Sequence, residues 1–104
     1  MTYRDALALL ADPTRRSILE TLATDPRSVA DLARDLPVSR PAVSQHLKAL
    51  SDAGLVEVRA EGTRRIYSVS PAALAELRQW LDRLWGDALE SFAKAAKEAG
   101  PHDH

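Results

Sequence analysis

Ser28-Val29-Ala30-Asp31-Leu32-Ala33-Arg34-Asp35-Leu36-Pro37-Val38-Ser39-Arg40-Pro41-Ala42-Val43-Ser44-Gln45-His46-Leu47-Lys48-Ala49-Leu50-Ser51-Asp52-Ala53-Gly54 is the stretch from which the fold can be read. Ser28 followed three residues later by Asp31 is a reciprocal N-terminal cap, so a helix opens here. Val29, Leu32, Ala33 and Leu36 give that helix one apolar face, and Pro37 stops it. Only Pro37 and Val38 separate its end from Ser39, the N-cap of a second helix. Val43, Leu47 and Leu50 form the buried stripe of that helix, and Gly54 stands where a left-handed C-terminal residue is wanted. Two short helices joined by so brief a turn, with the small Ala33 allowing close approach, make a helix-turn-helix.

Upstream, Thr2 with Asp5 reads as a capping start for a short apolar helix carrying Ala6, Leu7, Leu9 and Leu10. Asp12-Pro13 restarts the chain as N-cap and first helical residue, and Ile18, Leu19 and Leu22 form the next buried stripe. Thr24-Asp25-Pro26-Arg27 reads as a turn. Downstream, the apolar period changes from helical to alternating. Leu55–Arg59 and Arg65–Val69 are strand-like, with Glu61-Gly62-Thr63 as a hairpin turn between them. Ser70-Pro71 then opens a last helix that runs to about Ala99, where Gly100-Pro101 ends it. The expected fold is mainly α with one small β-hairpin. It is a winged helix-turn-helix with an extra helix at each end, in one domain over residues 1–99, followed by a flexible tail over 100–104.

The chain has 104 residues, 45% hydrophobic and 28% charged, which is the size of one domain with a modest core. There is no cysteine, which removes disulfides, thiol catalysis and thiolate metal sites. The formal charge is −1 but is unevenly spread. Residues 38–70 carry five basic and three acidic side chains, whereas 1–37 carry five and six, and 71–104 four and six. A basic middle third is thus flanked by acidic ends. No apolar run approaches the length of a membrane span or a signal core, so a cytoplasmic chain without membrane contact is expected.

From Pro71 to Glu98 the last helix would span about 42 Å at 1.5 Å per residue. A compact domain of this length has a radius of gyration of about 13 Å, so the helix overhangs its own core. Its first half can pack on the domain. Leu81, Trp85, Leu89 and Phe92 lie further along, where a lone subunit would expose aromatic surface. Tyr3, Leu7 and Leu10 of the first helix offer the companion surface. A twofold homodimer through the first and last helices is the expected assembly.

The second helix of a helix-turn-helix enters the DNA major groove with its N-terminal part against the bases. Here that stretch carries Ser39, Arg40, Ser44, Gln45, His46 and Lys48. Val43 and Leu47 hold the buried side, so Arg40, Ser44, Gln45 and Lys48 face outward or obliquely. Gln45 can pair bidentately with adenine, and Arg40 with guanine or a phosphate. Thr63, Arg64 and Arg65 form a basic cluster at the hairpin tip, with Arg59 and Tyr67 at its base, suited to phosphate contacts beside the groove. Double-stranded DNA is therefore the expected partner. Enzymatic chemistry is not: Ser44 and His46 lie about 200° apart on a helix, and there is no Gly-rich phosphate loop.

Three segments also resemble one family: Leu10-Ala11-Asp12-Pro13-Thr14-Arg15-Arg16-Ser17-Ile18-Leu19, Ser39 to Gly54, and Gly62-Thr63-Arg64-Arg65-Ile66-Tyr67. In this order, over roughly residues 5–95, they resemble the ArsR/SmtB-type bacterial repressors. The resemblance implies a homodimer on a palindromic, inverted-repeat operator, usually near its own promoter. It places Ser39, Arg40, Ser44, Gln45, His46 and Lys48 in the recognition helix, and Arg64 and Arg65 in the wing. Metal-sensing members carry Leu-Cys-Val-Cys-Asp-Leu in the third helix. Here the run is Arg27-Ser28-Val29-Ala30-Asp31-Leu32, with Ser28 and Ala30 in place of both thiolates. A second family site uses Asp and His on the last helix, and Pro71 to Gly100 holds no histidine. The chain looks like the branch without metal ligands and without a cofactor, its only spare histidines being His102 and His104 in the tail. No effector can be named. Two alternatives stay open: a winged helix used for protein interaction, and a sensor whose ligand or metal site forms from residues that spacing does not pair.

Overall fold

The computed structural model describes residues 3–99, with side chains from residue 4 onward. The elements run α1 (Tyr3–Leu9), α2 (Pro13–Thr24), α3 (Val29–Asp35), α4 (Arg40–Asp52), β1 (Val56–Glu61), β2 (Arg64–Val69) and α5 (Pro71–Ala99). The helix starts follow from their caps. The Asp12 carboxylate accepts from the Thr14 and Arg15 N–H groups at 2.8 and 3.2 Å, with Pro13 opening α2. Ser28 and Asp31 form the complete capping box of α3. The Ser39 hydroxyl accepts from Ala42 N–H at 3.3 Å to start α4. Gly54, at φ +79°, turns the chain off α4, and the Leu55 N–H closes back on the Leu50 carbonyl at 2.9 Å. The expected start at Thr2, the Tyr3 side chain, the Gly100-Pro101 stop and the tail with His102 and His104 lie outside the described residues.

The core sits where α2, α3, α4 and the hairpin meet. Ile18, Leu32, Val43, Leu47, Leu50 and Leu55 are fully buried, joined by Ala6, Leu22, Val56 and Ala73. Burying one such Leu or Ile contributes about 1.5–3 kcal/mol. Leu19, Val29, Leu36 and Val38 are half-buried against this cluster. Leu36 is the cap that ends α3 rather than part of it.

The hairpin differs in detail from the expected one. Leu55 belongs to the α4 turn and the core, and β1 begins at Val56. The antiparallel register runs from Val56 opposite Val69 to Glu61 opposite Arg64, leaving a two-residue loop, Gly62-Thr63. Gly62 has φ +66°, which a glycine at the first loop position supplies without strain. Arg27, expected in a turn, pairs instead with Tyr67 as an isolated antiparallel bridge, with N···O distances of 3.0 and 2.8 Å. A single bridged pair has no periodicity for a sequence to display.

Only the start of α5 joins the body. Ala73 is buried and Leu77 and Trp80 are half-buried, while every residue from 81 to 99 is exposed. The self-packed part is therefore shorter than half the helix, and Leu74 already faces outward. The chain measures 71 × 26 × 21 Å with a radius of gyration of 19.2 Å, against about 13 Å for a compact chain of this length. Among the described residues, no helix is long and apolar enough to cross a membrane.

Candidate nucleic-acid interface

Helix α4 has one buried and one open side. Val43 and Leu47 face the core, while Arg40, Ser44, Gln45 and Lys48 are exposed, as their spacing requires. Ser39 is exposed at the helix start with its hydroxyl committed to the cap. Lys48 reaches Asp52 one turn on at 3.1 Å, a solvent-exposed pair that contributes little and can open toward a phosphate. His46 sits apart from these four, half-buried, with its Nδ1 accepting from Arg15 Nε at 3.2 Å. With Nδ1 accepting, Nε2 is the ring nitrogen left to donate. Arg15 is thus a part of the site that spacing did not reveal, because it lies 31 residues away on α2. On the same turn, the backbone N–H of Arg15 holds the Asp12 carboxyl below the usual carboxylate range, helped by the Thr14 N–H.

The wing lies beside this helix. Ser44 and Lys48 of α4 share a cleft of about 250 Å³ with Val58, Arg65 and Tyr67 of the hairpin. Arg65 and Thr63 are exposed, and Tyr67 is half-buried at the base, where its backbone holds Arg27. Arg59 pairs with Glu61 at 3.2 Å, both side chains being more than half exposed. Arg64 points elsewhere. Its Nη2 donates to the Ser28 hydroxyl and to Asp31 Oδ2, both at 2.8 Å, on the N-terminal cap of α3. Asp31 is lowered to about 2, chiefly by hydrogen bonds from the Ser28 hydroxyl and backbone N–H, then by Arg34 at 2.6 Å and the charge of Arg64.

A helix-turn-helix domain family matches residues 10–59, from just after α1 into β1. The HTH-type transcriptional regulator Rv2034 of Mycobacterium tuberculosis is 55% identical over 102 residues, 95% of each chain. An ArsR-like transcriptional regulator from Rhodococcus sp. RHA1 superposes with a TM-score of 0.82 at 34% identity, over 94% of this chain and 92% of that one. This chain belongs to the ArsR family. It is a winged helix-turn-helix DNA-binding transcriptional regulator. Another neighbour is the homodimeric winged helix-turn-helix DNA-binding domain Mb0332 from Mycobacterium bovis, with a TM-score of 0.66 and 29% identity over 98% of this chain and 84% of that one.

The thiolate metal site found in some ArsR-family members does not fit these residues. Ser28 stands at one ligand position, with its hydroxyl held by the Asp31 N–H at 3.2 Å and by Arg64 at 2.8 Å. Ala30 at the other has no ligand atom in its side chain. Among the described residues, no group of three or more His, Cys, Asp or Glu side chains is placed to hold a metal.

Proposed function

We propose that this ArsR-family chain is a homodimeric repressor that binds an inverted-repeat operator without a cysteine metal site or cofactor. The observation that carries this reading is the cleft that joins the exposed face of α4 to Arg65 of the wing. One rigid surface then offers base-reading and phosphate-holding groups together, backed by the buried Val43 and Leu47. Gln45, Ser44 and Arg40 read base edges, with the Nε2 proton of His46 as a further donor. Lys48, Thr63 and Arg65 hold phosphates, which sets affinity and its salt dependence, while Arg59 lies on the opposite face of the hairpin beside Glu61.

The exposed Leu7, Leu81, Trp85, Leu89 and Phe92 support pairing through α1 and α5. The homodimeric state of Mb0332 is consistent with it. Two recognition helices then enter successive major grooves about 34–36 Å apart. Such a dimer represses by occupying promoter DNA in the cytoplasm. Footprinting on the DNA upstream of its own gene, repeated across salt concentrations, tests this. Protection of two symmetric half-sites that weakens with salt is expected, and deleting the gene should raise expression from that promoter. Salt-independent behaviour with no protected site, or falling expression on deletion, would overturn it.

A further inference from the structure

We infer that Arg64 is a positioning residue that fastens the wing to the N-terminal cap of α3, leaving Arg65 as the arginine of that pair that meets DNA. The inference rests on the DNA-binding reading and specifies which wing cations act in it. Successive residues of a strand face opposite sides, and β2 places this pair accordingly. Arg65 lines the cleft with Ser44 and Lys48 of α4. Arg64 turns to α3, where one nitrogen, Nη2, donates at 2.8 Å to both the Ser28 hydroxyl and Asp31 Oδ2. Those contacts join residues 36 and 33 positions apart.

The wing needs such a fastening. From Glu57 to Arg65 every residue is exposed, and a two-stranded hairpin by itself is marginal in water. The Arg27–Tyr67 bridge and buried Ile66 anchor its base. Arg64 anchors the hairpin beside its turn. The receiving site is preorganised, because Asp31 also holds Arg34 and closes the capping box of α3. The Arg64–Asp31 contact therefore sets the angle between wing and helix-turn-helix, and with it the distance from Arg65 to the recognition helix. A wing released from α3 must be ordered again when DNA binds, which lowers affinity.

The test is a salt series of DNA affinities on the protected duplex for wild type, Arg64→Ala, Arg65→Ala and Asp31→Asn. Each phosphate contact contributes about 0.9 to the slope of log affinity against log salt. Losing two equivalent contacts in a dimer would therefore flatten the slope by about 1.8, and this is the result expected for Arg65→Ala. Arg64→Ala should weaken binding about tenfold for the dimer, about threefold per wing, with the slope unchanged. Asp31→Asn supplies a test of sign, since asparagine keeps an oxygen for the cap. A carboxylate that merely repelled DNA would, when neutralised, let binding tighten. The fastening predicts that binding weakens, and that the Arg64→Ala/Asp31→Asn double variant is no worse than either single one. A flattened slope in Arg64→Ala, tighter binding by Asp31→Asn, or additive losses would overturn the inference. A wild-type chain that binds no DNA at any salt would instead overturn the DNA-binding reading, and with it the role given to Arg64.

Discussion

The Asp31 carboxyl collects hydrogen bonds from the Ser28 hydroxyl and backbone, from Arg34 and from Arg64, and they favour its charged form. Its pKa in the folded chain, about 2, lies below the ordinary 3.8. A depressed carboxyl contributes stability that is present above the unfolded value and is lost as pH falls through the folded one. The stability gap between wild type and Asp31→Asn should therefore hold steady above 3.8 and close as pH falls toward about 2. Urea unfolding midpoints across that window measure it, and a gap that ignores pH would show that the charge on Asp31 is not what matters. Gln45 is the contrasting residue, exposed on α4 and without a structural task. Gln45→Ala should leave thermal stability almost unchanged and relax discrimination at one base position per half-site by about 1–3 kcal/mol. Affinities for a set of singly substituted operators would reveal an equal loss at all positions if Gln45 were only a phosphate contact.

Helices α3 and α4 were legible because their boundaries are written in local chemistry: Ser28 with Asp31, Ser39, and Gly54 each act within four residues. The hairpin was legible in its period but not in its loop. Alternation alone does not say whether Glu61 and Arg64 pair, and the structure shows that they do. What stayed hidden is what joins distant segments. The Arg27–Tyr67 bridge, the Arg15–His46 hydrogen bond and the Arg64–Asp31 pair all span more than 30 residues and repeat no pattern. The exposed face of α4 could be anticipated from Val43 and Leu47, but the half-burial of His46 could not, since it depends on Arg15 of α2. The two-residue loop gives a sharp test at this level. Space is open around the missing Cβ of Gly62, so only its φ of +66° resists substitution. Gly62→Ala should cost about 1 kcal/mol or slightly more through backbone strain. Thermal unfolding would show it as a fall in Tm, while an unchanged or raised Tm would mean that the turn can adopt another type.

The whole molecule has an unusual shape for its size, 71 Å long, because α5 continues well past the core that α2, α3 and α4 build. Leu81, Trp85, Leu89 and Phe92 recur along it at helical spacing, and Trp85 and Phe92 are 58% and 72% exposed. Burying a large apolar side chain contributes roughly 1.5–3 kcal/mol, so a twofold partner that covers these four residues on each copy gains far more than α5 packed on its own domain can. The same pairing has a consequence for DNA. In the proposed dimer, once one recognition helix is bound its partner would see a second half-site at an effective concentration in the millimolar range, and overall affinity would rise by about 10²–10⁴. A Trp85→Glu/Phe92→Glu variant should therefore sediment as a monomer at concentrations where the wild type is a dimer. It should keep the fold of residues 13–70, whose core uses neither side chain. Its affinity for a single half-site should match that of the wild type, while affinity for the full inverted repeat should fall by those two to four orders of magnitude. A variant that stays dimeric, or a monomer that still protects both half-sites at wild-type concentrations, would show that α5 does not join the reading heads and that its apolar stripe is covered in some other way.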